Sequence, residues 1–433
     1  MKYAECFEDF SLAFETEPLY DDELDQFYYR DTMPIRMNHE NKSPIKNIYK
    51  SCILQKRHNA HLLLGHRGCG KSTELNELKR NFEWRGHCVS IVQCTVEADI
   101  LGLSYYDLLI LLGKHLCFIA EEAGCALPDS LISDMDNYWK EVVKIDVIKE
   151  KHRLGIKSGV TASTPKMLPI INIFAQLTSE IKFGHDKKIE IRDYVKKSTV
   201  QWIRMMVEAS DYIASNFNGK QPIVIFEDLD KLSQEKAWEV FSEPLSQMPF
   251  PVIYTFPISL SYAPRFAHIE ASFNNNVHIL PMIKIRTPEG DRYNEGISAI
   301  KGIIKKRANL ALFNEDALDY LIDKTGGMLR DLFYCITMAA DLAEASGSNT
   351  ITLYDAQSAI KQISNLLTRR IEVKNYPLLR NIYKGEKFRN QIDDREMLLD
   401  MMQGLVVLEY NGDRWHDLHP LIEDFLKKQG ELD

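Results

Sequence analysis

The sequence predicts an α/β fold built on a parallel sheet that helices cover on both faces. Three observations predict it. Short apolar runs recur at His61–Leu64, Cys88–Gln93, Ile223–Phe226, Val252–Phe256 and Val277–Pro281. Longer segments with helical periodicity separate most of them, which is the pattern of strands joined by crossover helices. A glycine-rich loop, Gly65-His-Arg-Gly-Cys-Gly-Lys-Ser-Thr73, follows the first run and opens a helical segment ending near Trp84.

In chain order, residues 1–50 read as an arm with short helices. The first 25 residues are acidic, with only Lys2 opposing nine carboxylates from Glu5 to Asp25. Residues 51–287 read as the α/β core. Helices are expected near Leu103–Ala123, Pro128–Val143 and Glu190–Phe217. Between them lies a basic insertion, about 144–197, in which Lys and Arg outnumber Asp and Glu two to one. Its apolar stretch Met167–Phe174 looks strand-like, which suggests a hairpin or loop. Residues 288–367 read as helical, with Asn314 placed to cap a helix running to Lys324. Residues 368–433 read as helix, helix, strand, Asn411-Gly412 turn, strand, helix. Asn-Gly is the preferred pair for a two-residue hairpin turn, and helices followed by a hairpin suggest a winged helix.

Composition bounds the function. The chain has 433 residues, 45% hydrophobic and 27% charged, with a formal net charge of −9. This is ordinary for a globular protein of two or three domains, and it argues against indiscriminate nucleic-acid binding over the whole surface. The most apolar run, Leu108–Ala120, is interrupted by Lys114 and His115, so no membrane role is expected. The N-terminus lacks the apolar core of a secretion signal. Eight scattered cysteines without a C-x-x-C pair suit a reducing cytoplasm better than a disulfide framework or a zinc site.

The glycine-rich loop has the G-x-x-x-x-G-K-S spacing of a phosphate cradle, in the strand–loop–helix context that spacing requires. Gly65, Gly68, Cys69, Gly70, Lys71, Ser72 and Thr73 form the expected ATP site. Backbone N–H groups and the helix N-terminus attract phosphate. Lys71 is expected at the β- and γ-phosphates, and the Ser72 hydroxyl on Mg²⁺. An acidic strand end must complete such a site. Ile223–Phe226 delivers Glu227, Asp228 and Asp230, with Glu227 expected to orient the metal and Asp228 to polarise the attacking water. Thr255, near another strand end, is placed to sense the γ-phosphate. Arg330, in the first turn after Gly326-Gly327, is placed to reach it from a second domain.

These residues resemble those of the AAA+ ATPases, most closely the origin-recognition initiator type, with the STAND signalling ATPases as near competitors. The resemblance runs from about residue 50 to the end. It rests on Gly65–Thr73 (Walker A), Ile223–Asp230 (Walker B), Thr255 (sensor 1), Gly327–Arg330 (sensor 2) and the terminal winged helix. It implies a P-loop AAA+ core with a helical lid, Mg²⁺ and ATP/ADP as ligands, and slow hydrolysis driving a switch. It also implies a trans-acting arginine between Thr255 and the next strand, where Arg265 lies, and so leaves a homo-oligomer open. The usual Asp-Glu of Walker B is here Glu227-Asp228. Each side chain then differs in reach by one methylene, and a misplacement of about 1 Å can cost on the order of 10²-fold in rate. Two partners remain open: an effector or regulatory protein, in phage defence for example, or DNA, bound as an initiator or loader. The helix before the expected wing, Asp393–Asp400, is acidic and apolar, which suits protein or lid packing as well as DNA.

Overall fold

The computed structural model describes residues 1–37, 43–54, 60–143, 167–385, 394–410 and 414–433. Strands β1 (Ala60–Gly65), β2 (Val89–Gln93), β3 (Ile223–Glu227), β4 (Val252–Pro257) and β5 (Val277–Ile279) form one all-parallel sheet in the order β2-β3-β4-β1-β5. β1, β3 and β4 are buried along their whole length. That is why these strands read as continuous apolar runs rather than alternating ones. From β1 the chain crosses to the far edge, returns through β3 and β4, and passes β1 to reach β5. The carboxyl ends of the strands therefore share one rim beside β1, where ligands of open α/β sheets bind.

The helices Lys71–Trp84, Tyr105–Glu122 and Asp129–Val143 stand where the sequence places them. The stretch at Met167–Phe174 does not. It belongs to a helix, Leu168–Phe183, whose Ile170, Ile173, Phe174, Leu177 and Ile181 are buried. That three-and-four spacing sets the element. Pro169 lies in the first turn, where its missing N–H costs nothing, so it starts the helix rather than breaking it. The next helix, Asp186–Asn216, bends at Ser198. Trp202 from this helix meets Trp139 and Tyr138 with ring centroids 4.8 and 5.4 Å away, so the inserted helices carry their own core. The rest of the basic insertion, residues 144–166, lies outside the described residues.

Four helices follow the sheet: Asn294–Arg307, Glu315–Lys324, Leu329–Ala345 and Leu353–Thr368. Asn314 stands at the N-cap position of the second, but its side chain makes no capping bond. The C-terminal elements are helices Tyr376–Tyr383 and Arg395–Gln403, the antiparallel strands β6 (Val407–Tyr410) and β7 (Trp415–Leu418), and helix Pro420–Lys428. The Asn411-Gly412 turn lies outside the described residues. Lys324 pairs with Asp424 at 2.7 Å, and Arg286 bridges Asp323 and Glu423 at 3.1 Å each. These pairs tie the last helix to the preceding helical layer. Among the described residues no helix is long and apolar enough to cross a membrane. All eight cysteines are free.

Candidate functional site

The rim at the carboxyl ends of β1 to β4 opens into a cleft of about 540 Å³. The phosphate loop forms its floor. Gly68 and Gly70 have φ of 82° and 99°, a region that favours glycine. A Cβ on Gly68 would also stand 2.8 Å from the Cβ of Arg330. The loop's glycines thus serve both its curl and the close approach of a distant helix. Helix Lys71–Trp84 starts directly at the loop, leaving its first N–H groups toward the cleft. Gly68, Gly70, Lys71, Ser72 and Thr73 line the cleft. Gly65 and Cys69 do not. The Cys69 side chain is buried in an apolar cluster with Leu75, Leu280 and Met328, so only its backbone can serve a ligand.

Lys71 is buried and fully engaged. Its Nζ donates to the Gly65 and His66 carbonyls at 2.8 and 2.9 Å and pairs with Asp230 Oδ2 at 2.9 Å. Burial alone would raise the Asp230 carboxyl, yet Lys71 holds it below the usual carboxylate range. Arg67 donates to the Asp230 carbonyl at 3.3 and 3.4 Å. The third acid of the strand end is therefore the counter-ion of the loop lysine, a role its spacing did not reveal.

Glu227 closes β3, opposite Gln93 of β2. It is buried, and its Oε1 has no partner among the described residues. Burial, then the charges of Asp228 and Asp230, push its carboxyl up to about 8. Asp228 follows with φ 71°, a strained left-handed position. Its carboxylate accepts from the Thr95 hydroxyl and pairs with Lys231 at 2.6 Å. Thr255 lines the cleft from β4. Its hydroxyl accepts from Leu229 N at 3.0 Å and donates to the Phe226 carbonyl at 3.3 Å. Thr255 thus braces the acidic loop in this structure.

Arg330 reaches the same cleft from the helix Leu329–Ala345, and its backbone N–H donates to the Gly68 carbonyl at 3.3 Å. Gly327 allows this approach, because a Cβ there would meet the Ile283 carbonyl at 2.0 Å. Arg265 lies outside the cleft. It is exposed, with its guanidinium 3.8 Å from the Trp238 ring centroid.

The other wall comes from the N-terminal arm, which sequence reasoning left without a role. Tyr20, Phe27, Tyr28, Tyr29 and Arg36 line it, together with Ile303, Arg307 and Phe333 from the later helices. Tyr28 donates to Glu74 at 2.9 Å. Arg36 is buried, donates to the Cys69 carbonyl at 2.8 Å and also reaches the Pro281 carbonyl. Arg307 lies 4.3 Å over the Phe333 ring, and burial pulls its guanidinium down to about 10. The aromatic run Phe27-Tyr28-Tyr29 was the available signal.

The cleft is lined by the phosphate-type loop, the acidic strand end and the aromatic side chains of the arm. Ser72 and Glu227 both line it. A buried carboxyl oxygen without a partner and a serine hydroxyl lining the same cleft are oxygen donors of the kind a hard divalent cation such as Mg²⁺ takes. The element order, with the P-loop after a central parallel strand, then helices, then a hairpin, is the order the AAA+ resemblance implies.

Solved structures of that group are similar. Cdc6p from Pyrobaculum aerophilum aligns over 95% of this chain and 100% of its own at 11% identity, with a TM-score of 0.43. The ADP form of the Aeropyrum pernix ORC2 protein aligns over 96% of both chains at 11% identity and a TM-score of 0.41. The Thermotoga maritima RuvB Holliday junction branch migration motor covers 92% of this chain and 98% of its own, at 9% identity and a TM-score of 0.34. At these values the functional reading rests on the residues of the cleft. No family model matches the sequence, and no curated protein does.

Proposed function

We propose that the chain is an ATP-binding switch of AAA+ type, with slow hydrolysis, that changes conformation on ATP binding to control a partner protein. The observation that carries this reading is convergence. The phosphate loop, the unpartnered Glu227 and Arg330 from a separate helical layer line one cleft. The loop and helix N-terminus bind the phosphates, and Lys71 leaves Asp230 for the β- and γ-oxygens. Ser72 and Glu227 are the residues that would hold Mg²⁺, which would supply positive charge against the phosphates. Asp228 polarises the attacking water, and Thr255 keeps the acidic loop in register. The aromatic wall from the arm takes the base. Arg330 contacts the γ-phosphate, so ATP but not ADP gains a bond across the cleft. A ligand shifts a conformational equilibrium only through such a differential contact. Arg265 is the residue we assign to a neighbouring copy's cleft if the protein assembles.

A protein partner fits better than DNA on one observation. The basic residues Lys182, Lys188 and Arg192 hold the insertion to the core, through the Val96 carbonyl, Asp99 and Asp107. These three described side chains are engaged in packing rather than offered to phosphate.

The test is small-angle scattering of the purified chain with ADP and with a non-hydrolysable ATP analogue. A more compact particle with the analogue is expected, and identical profiles would remove the switch. DNA binding that weakens steeply with salt would replace the protein-partner reading by the initiator one.

A further inference from the structure

Three consecutive residues of β6 pack or bond against segments that flank the cleft. Leu408 shares an apolar cluster with Cys69 of the phosphate loop and Met328, the N-cap of the Arg330 helix. Glu409 donates its backbone N–H to His66 Nε2 at 2.8 Å, a buried bond between positions 343 residues apart. Its carboxylate accepts from Tyr262 at 2.6 Å and from Arg414 at 3.0 Å. Tyr262 lies in the turn that leaves the Thr255 strand. Tyr410 donates to the Gly326 carbonyl at 2.7 Å, at the double glycine that lets the Arg330 helix approach.

His66 joins this strand to the phosphate chemistry. Its carbonyl accepts from Lys71 at 2.9 Å while its ring accepts from Glu409. The ring nitrogen that accepts carries no proton, so Nδ1 carries it. Burial keeps the imidazole neutral, with its pKa lowered to about 4. The G-x-x-x-x-G-K-S spacing leaves position 66 free of any demand from phosphate. A histidine that is only 2% exposed there, spending its one acceptor on the C-terminal hairpin, needs another reason.

We propose that His66 and Glu409 are positioning residues for the phosphate loop: strand β6 holds the loop in its phosphate-binding shape through the His66 ring. Loop occupancy and hairpin stability are then thermodynamically linked, and the linkage is reciprocal. Nucleotide at the loop tightens the hairpin, and a hairpin pulled away by a partner weakens nucleotide binding. The same contact makes β6 part of the ATPase core rather than a free reading wing. This inference rests on the cleft's reading as a nucleotide site.

Hydrogen–deuterium exchange of the β6 amides, alongside ATP titration calorimetry, tests it. In the wild type, saturating ATP should slow exchange at Glu409 and Tyr410 by about tenfold. His66→Phe fills the space but offers no acceptor, and leaves a buried N–H unpaired. It should weaken ATP binding by about tenfold and abolish the ATP-linked slowing. His66→Gln, whose Oε1 can accept, should restore both. A His66→Phe protein that melts earlier yet binds ATP normally and keeps the slowing would show a merely structural histidine and overturn the proposal. If that variant does not fold, the wild-type exchange decides alone: ATP bound with the β6 amides unchanged overturns the linkage and leaves the nucleotide reading intact. No ATP heat in the wild type overturns that reading, and the linkage with it.

Discussion

Replacing Asp230 by Asn should tighten ATP binding. In this structure Lys71 Nζ has three partners: two loop carbonyls and Asp230 Oδ2 at 2.9 Å. To reach a phosphate the ammonium must give up the carboxylate. The Asn oxygen still accepts from the charged ammonium, so that bond stays charge-assisted, and the substitution removes only the attraction between the two opposite charges. That loss is on the order of 1 kcal/mol from the nucleotide-free state. Each 1.4 kcal/mol is tenfold in affinity, so a gain of roughly fivefold is expected. Removing a negative charge beside the triphosphate acts in the same direction. The assay is a titration with fluorescent ATP in EDTA, which excludes any metal that Asp230 influences. The variant should also melt at a lower temperature without nucleotide, because it leaves a buried ammonium without its counter-ion, and recover with ATP. Unchanged or weaker ATP binding would refute the view of Asp230 as the lysine's resting partner.

Other substitutions probe the remaining roles. Glu227 is pushed up to about 8 in the fold against an ordinary value of 4.5. Between those values the folded chain holds a proton that the unfolded chain has lost. Stability should therefore fall as pH rises through this window, by at most about 1.4 kcal/mol per unit, and level off above about 8. Glu227→Gln should flatten that part of the profile in chemical denaturation, and an unchanged slope would place the titration elsewhere. Asp228→Asn should lower ATP turnover and leave affinity within about twofold, and a variant as active as the wild type would remove its role at the water. Arg330→Ala should bind ATP and ADP alike in calorimetry. The discrimination it loses is about 1.5–3 kcal/mol, or roughly 10- to 150-fold, and retained discrimination would return Arg330 to a packing role.

Local chemistry made the phosphate loop legible. Two glycines in left-handed conformations and a lysine opening a helix lie within a single stretch, Gly68 to Lys71. The acidic strand end was legible for the same reason, as four apolar residues run into Glu227. Met167–Phe174 was misread because an apolar run containing a proline suits a strand end or a helix start. The burial of Ile170, Ile173, Phe174, Leu177 and Ile181 settled it. The partners within the cleft were not legible, because they form across long separations. Asp230 meets Lys71, Arg36 meets the Cys69 carbonyl, and His66 meets Glu409. No spacing rule links such positions. The aromatic wall from the arm stayed silent in the sequence too, since Tyr28 and Arg36 gain meaning only where the arm lies against the Lys71–Trp84 helix and the loop.

The claim that this cleft binds ATP through its phosphate loop is tested most directly by titration calorimetry of wild type and Lys71→Ala with Mg²⁺-ATP. Lys71 is the loop side chain assigned to the β- and γ-phosphates, and its replacement changes none of the loop's glycines. The wild type should bind with a clear heat, and Lys71→Ala should bind no ATP while keeping a folded circular-dichroism spectrum. Micromolar ATP binding retained by the folded variant would contradict the assignment of the site.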